Sequence, residues 1–171
     1  MNKFVKLAAL AATVLATTPA LAAPVGVTGA PPSATARIIK PLTLTSTGSL
    51  NFGTVVMVNV TSDQTISLSS ANALTCGDNV QVTCSGTTSV PTYNVRGTQG
   101  QVVTIIKTAS DLTNANDGTT LSMTPLGAAD LTLGNSGAPG AFFEIGGSIV
   151  IGSATTDGVY SGTVNVQVDY Q

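Results

Sequence analysis

The stretch Gly158-Val159-Tyr160-Ser161-Gly162-Thr163-Val164-Asn165-Val166-Gln167-Val168-Asp169-Tyr170 alternates with a period of two. In an extended chain successive side chains point to opposite faces. Tyr160, Gly162, Val164, Val166, Val168 and Tyr170 therefore share one face, and Ser161, Thr163, Asn165, Gln167 and Asp169 share the other. The pattern predicts a long strand with one apolar side. Taken alone it reads first as an ordinary core strand of a closed sandwich, because half-buried strands are common.

Upstream, the chain repeats this vocabulary. Short β-branched runs at 36–45, 50–58, 64–69, 80–84, 93–96, 101–107, 121–125, 131–133 and 142–151 predict strands, with 159–170 as the last. Turn chemistry separates them: Gly48, Gly77-Asp78-Asn79, Gly97, Asn116-Asp117-Gly118, Gly134-Asn135 and Asp157-Gly158 supply positive-φ or Asx-turn positions. Almost nothing after the first 22 residues carries a helical period. Many short strands with regular punctuation predict an all-β, immunoglobulin-like antiparallel sandwich.

The two ends differ from this body. Lys3 and Lys6 precede an apolar run from Leu7 to Ala16 and the small residues Ala20 and Ala22, the layout of a cleavable secretory signal over residues 1–22. The run is too short for a bilayer, which needs about 20 residues. Residues 23–40 then read as an extended N-terminal extension, because Pro24, Gly26, Gly29, Pro31 and Pro32 oppose both helix and interior strand. Pro41 marks the boundary with a single sandwich domain over 41–171.

Cys76 and Cys84 are the two cysteines of the chain. In an oxidising compartment a pair at this spacing reads as a disulfide. A redox or metal site would need further ligands, and the chain has no histidine. No cofactor is expected. Asn114-Ala115-Asn116-Asp117-Gly118 has some calcium-loop character but lacks the ligand spacing and closing glutamate of an EF-hand.

Loss of residues 1–22 leaves 149 residues, with Arg37, Lys40, Arg96 and Lys107 against eight acidic side chains. Four scattered cations make no phosphate-binding footprint, so nucleic acid is not an expected partner. Catalysis is not expected either. Glu144 is the only glutamate, and Asp78, Asp117 and Asp157 adjoin glycine or asparagine as turn residues do. The chain has no tryptophan for a sugar platform. The adjacent Phe142 and Phe143 must face opposite ways in a strand, leaving one for solvent or a partner.

Gly158 fourteenth from the C-terminus, Tyr170 penultimate and alternating valines between them resemble the C-terminal β-zipper of chaperone–usher pilins. A second resemblance covers most of the chain. The segments Ala34-Thr35-Ala36-Arg37-Ile38-Ile39-Lys40-Pro41-Leu42 and Leu50-Asn51-Phe52-Gly53, with the stretch 142–147 and Gly158-Val159-Tyr160-Ser161-Gly162, are similar to the secreted bacterial family known as domain of unknown function 4402 (DUF4402). That family has no agreed activity, and its layout resembles pilins of the alternative chaperone–usher class.

The pilin resemblance implies a sandwich one strand short. A periplasmic chaperone lends a strand in transit, an outer-membrane usher assembles the fibre, and the extension of another subunit finally replaces the chaperone. The expectation is thus a non-enzymatic fimbrial subunit, exported through the periplasm to the cell surface, joined to copies of itself or other pilins and serving cell adhesion. Residues Gly158, Tyr160, Val164, Val166, Val168 and Tyr170 would form the zipper. Candidate donor residues are Val25 and Val27, or Thr35, Arg37 and Ile39, or their opposite-face neighbours Ala36 and Ile38. The prolines at 31 and 32 favour the second segment. The alternative is a self-contained secreted sandwich acting as a surface or matrix binding module.

Overall fold

The computed structural model describes residues 22–171. The expected signal segment lies outside them except for Ala22. The chain divides into two compact units, Met1–Arg37 and Ile38–Gln171. In the first, the described residues carry neither helix nor strand. Their side chains are exposed, and the backbone bends at Thr28, Gly29 and Ala30, with Gly29 at φ 107°.

The second unit is all-β: β1 (Thr43–Thr47), β2 (Thr54–Met57), β3 (Gln64–Leu68), β4 (Leu74–Thr75), β5 (Val82–Ser85), β6 (Thr92–Arg96), β7 (Val102–Thr108), β8 (Ser110–Asn114), β9 (Thr120–Leu126), β10 (Asp130–Thr132), β11 (Ala141–Glu144), β12 (Gly146–Ile151), β13 (Tyr160–Ser161) and β14 (Asn165–Tyr170). It is an immunoglobulin-like antiparallel sandwich. The expected strand 36–45 begins only at Thr43. Pro41 has no N–H to give a ladder, and residues 36–42 carry no strand. The expected long strands at 142–151 and 159–170 are each broken, at Ile145 and at residues 162–164, so that their halves pair with different neighbours.

The pairings can be walked in one direction. β1 pairs with β6, and β6 with β11. β11 continues into β12, which pairs with β3 on one side and β9 on the other. β9 forms a hairpin with β8. The β7–β8 run then pairs with the C-terminal run, β7 with β14 and β8 with β13. β3 and β6 act as successive halves of one position, with β4 and β5 inserted between them. The walk stops there. β1 and β14 are each the outer strand of their sheet, as is β13, and β2 pairs with β5 alone. Among the described residues, no strand joins the last position of the walk to the first.

Two apolar clusters fill the sandwich. The first joins Tyr93, Val95 and Phe143 of one sheet to Val103 and Ile105 of the facing one, with Leu133 and Ile145. Tyr93 and Phe143 stack at 5.2 Å between ring centroids. Leu42, Leu44, Val166, Val168 and Tyr170 pack against this cluster and close its end of the sandwich. The second comprises Ile66, Val82, Met123, Ile149 and Ile151, with Leu50, Phe52, Val55, Leu112 and Leu121 against it. Phe142 and Phe143 do face opposite ways: Phe143 is buried and Phe142 is 57% exposed.

Gly97, expected as a turn position, is glycine for a different reason. It is not among the positive-φ glycines, and a Cβ there would run into the Tyr170 hydroxyl and the side chains of Leu42 and Leu133. That hydroxyl ties the C-terminus to the start of β1. It accepts from the Thr98 N–H at 2.7 Å and donates to the Lys40 carbonyl at 2.7 Å, while the Lys40 N–H donates to Thr98 Oγ1 at 2.7 Å.

Cys76 and Cys84 form a disulfide with Cα atoms 5.9 Å apart. Cys84 lies opposite Val55 in the β2–β5 ladder, so the staple holds the strand on which β2 depends. Replacing both cysteines by serine is expected to cost about 2–3 kcal/mol through the freed loop. It should speed amide hydrogen exchange in β2 and β5 more than in β7 and β14, and unchanged exchange in β2 would count against this role. Phe143→Ala should cost about 3–5 kcal/mol by urea denaturation. Phe142→Ala should stay within about 0.5 kcal/mol.

Candidate functional site: a groove at the vacant strand position

Where the walk of strands stops, an open groove of about 1050 Å³ runs between residues 46–57 and residues 155–164. Its floor is apolar: Tyr93, Leu112, Leu121, Met123, Ile149 and Ile151 line it, most of them from the second cluster. Leu50, Phe52 and Val55 descend from one wall onto this floor, and Val164 does so from the other. Asp157, on an exposed turn, is the only charged residue of the lining. Both walls present outer strands, β2 and β13. Each offers backbone N–H and C=O groups along an edge that another extended segment can pair with.

The walls are braced from outside the groove. β2 is held by β5 and the disulfide. The other wall is fixed by a hydroxyl and amide network at the tip of the β8–β9 hairpin. Asn114, 1% exposed, donates through Nδ2 to the Asp157 carbonyl at 3.0 Å and to Thr156 Oγ1 at 3.2 Å. The Tyr160 hydroxyl donates to the Thr156 carbonyl at 2.9 Å, and Thr119 Oγ1 lies 2.8 Å from Thr156 Oγ1 and 3.2 Å from the Tyr160 hydroxyl. Thr119 donates to Asp117 Oδ1 through its N–H and its hydroxyl at 2.9 and 2.7 Å. These bonds, the backbone one first, hold the Asp117 carboxyl below its ordinary range. Asp117 therefore stays ionised further into acid. The brace is present above the ordinary carboxylate range and weakens as pH falls through the lowered value. Hydrogen bonds with Thr119 and then Thr156 likewise lower the Tyr160 phenol.

The expected zipper residues divide between two tasks. Gly158, Tyr160 and Val164 line the groove, together with Gly162. Val166, Val168 and Tyr170 pack instead on the first cluster, in the closed half. All the apolar members from Val164 to Tyr170 are half-buried, and the alternating polar residues are exposed. Gly158 adopts φ 147°, and a Cβ there would strike the Asn114 side chain. Among the expected donor residues, Val25, Val27 and Ile38 are 92%, 70% and 90% exposed, Ile39 is 44% exposed, and Thr35, Ala36 and Arg37 are exposed as well.

The wall formed by residues 46–57 is the part that sequence reasoning missed. Its signal was present in the alternation of Leu50 and Phe52, but a pattern cannot show that the neighbouring position is empty. Asp78 and Asp117 act as turn residues, accepting from the N–H groups of Val80 and Thr119. Among the described residues, no group of three or more histidine, cysteine, aspartate or glutamate side chains is placed to hold a metal.

No curated protein and no solved structure matches this chain. A family model described as a domain of unknown function (DUF4402) matches residues 42–170, which takes in the whole sandwich from the approach to β1 through β14. The chain belongs to the DUF4402 family.

Proposed function

We propose that this chain is a structural subunit of a pilus-type surface fibre that polymerises by donor-strand complementation and carries out no chemistry of its own. The observation that carries the reading is the vacant strand position: an apolar floor bounded by two outer strands whose backbone edges lack a partner across the groove. An extended segment placed there covers the second cluster and adds ladder bonds on both sides, the physics of strand addition. In this reading the chain is exported with its signal removed. A periplasmic chaperone covers the groove in transit, an outer-membrane usher mediates exchange, and a segment from another subunit takes the place permanently. The alternating C-terminal run supports the same reading, since its β14 part closes half of the sandwich while its β13 part lines the open half.

The mature chain, residues 23–171, is expected to form linear oligomers visible by size-exclusion chromatography with light scattering. The same chain lacking residues 23–37 should remain monomeric or chaperone-bound. The deletion stops short of Lys40, whose backbone groups are bonded to Thr98 and Tyr170. Equal oligomers from both chains would overturn the reading. A mature chain that folds cooperatively as a stable monomer, with no chaperone and no added strand, would favour a self-contained binding module.

A further inference from the structure

We propose that the Arg37–Ile38 peptide bond is a processing site for a trypsin-type protease, one whose specificity pocket holds a carboxylate, and that cleavage there separates residues 23–37 from an intact sandwich. The cut is independent of what fills the groove.

Charge narrows the choice of bond. Beyond residue 22 the chain has four basic side chains, Arg37, Lys40, Arg96 and Lys107. A pocket that pairs its carboxylate with a guanidinium or an ammonium therefore has four bonds to choose from. Such a protease takes its substrate as an extended segment laid along the edge of a cleft, so the residues around the bond must not already be committed to a ladder.

Three of the four bonds are closed to it. Arg96 lies in β6, opposite Thr43 of β1. Lys107 lies in β7, opposite Val166 of β14, and its ammonium donates to the carbonyls of Gly127 and Ala128. A cut after either residue requires the sandwich to open first. Lys40 precedes Pro41, its N–H donates to Thr98 Oγ1 at 2.7 Å, and its carbonyl accepts from the Tyr170 hydroxyl at 2.7 Å. The carbonyl that would be attacked is thus already held, and the nitrogen beyond it has no N–H to pair with a cleft.

Arg37 stands on chain that a protease can take up. Residues 33–39 are exposed and carry neither helix nor strand. Ile38, directly after the bond, is 90% exposed. The run from Ser33 to Ile39 contains no proline, so five residues before the bond and two after it keep an N–H for pairing with a cleft. Exposed chain outside the ladders is where nicking concentrates.

The bond also falls where the chain divides, after Met1–Arg37 and before Ile38–Gln171. All fourteen strands, both apolar clusters, the disulfide and the bond from Tyr170 to Lys40 belong to the second unit. In the hydrolysis, water oxygen adds to the Arg37 carbonyl carbon and the C–N bond breaks. The nitrogen leaves as the ammonium of Ile38, and Arg37 keeps a carboxylate. Nothing that holds the sandwich is lost. On the fibre reading the product is a body without its extension, so cleavage before assembly would withdraw a subunit from growth.

The test exposes the folded mature chain to limiting trypsin and follows intact masses. One product, residues 38–171, is expected, with the melting temperature of the uncut chain. Arg37→Gln should slow the first cut by roughly a hundredfold or more, since a pocket built to pair a cation rejects its neutral replacement. Arg37→Lys should restore it. First cuts after Arg96 or Lys107 at a matching rate, or an unchanged rate in Arg37→Gln, would overturn the site. The chain recovered from the outer surface or medium of producing cells should include a species that begins at Ile38, absent for Arg37→Gln. Recovered chains that all begin before Ser33 would overturn processing in the cell.

Discussion

Two backbone edges facing each other across an apolar floor are the constraint on which the rest of this molecule depends. Each unpaired edge of β2 and β13 is tolerable in water alone, since solvent satisfies its donors and acceptors. The floor between them is not satisfied in that way. Leu112 and Leu121 line it together with residues of the second cluster, and apolar surface of this kind contributes on the order of 25 cal/mol for every Å² removed from water. Edge pairing and apolar burial therefore call for the same guest: one extended, uncharged, proline-free segment.

On the proposed reading, an acceptor with a strand missing must keep its shape without that strand. Here the stiffness comes from outside the gap. On one side β5 carries β2 and is itself stapled by the disulfide. On the other side Asn114, Thr119, Thr156 and Tyr160 bind the start of the C-terminal run to a hairpin tip. The first cluster, with Tyr93 stacked on Phe143, keeps the closed half rigid. The hydrophobic interior is divided in the same way, one cluster sealed within the chain and the other bordering the open groove.

Much of this was legible in the residues. The all-β class, the alternation of the C-terminal run, the pairing of Cys76 with Cys84 and the opposed phenylalanines follow from periods and from residue chemistry. Other features were not. β8 reads Ser-Asp-Leu-Thr-Asn, poor in β-branched residues, and becomes a strand because the hairpin with β9 and the pairing with β13 supply its ladder. β4 is only two residues long. The stretch 36–42 has strand-like composition but no ladder of its own, which composition alone cannot report. The emptiness of the position between the first and last strands is a fact about long-range pairing, and no local pattern encodes it.

The clamp between Tyr170 and Lys40 has a mechanical consequence. Tension transmitted along a chain of such subunits would enter each body at Lys40 and pass at once to the end of the C-terminal strand. That strand is bonded lengthwise to β7 over the registers from Asn165↔Thr108 to Tyr170↔Val103. Pulling would therefore load the row in shear, all rungs together, instead of peeling it open one rung at a time. In the proposed fibre, such clamping would favour a stiff filament over a beaded, extensible string.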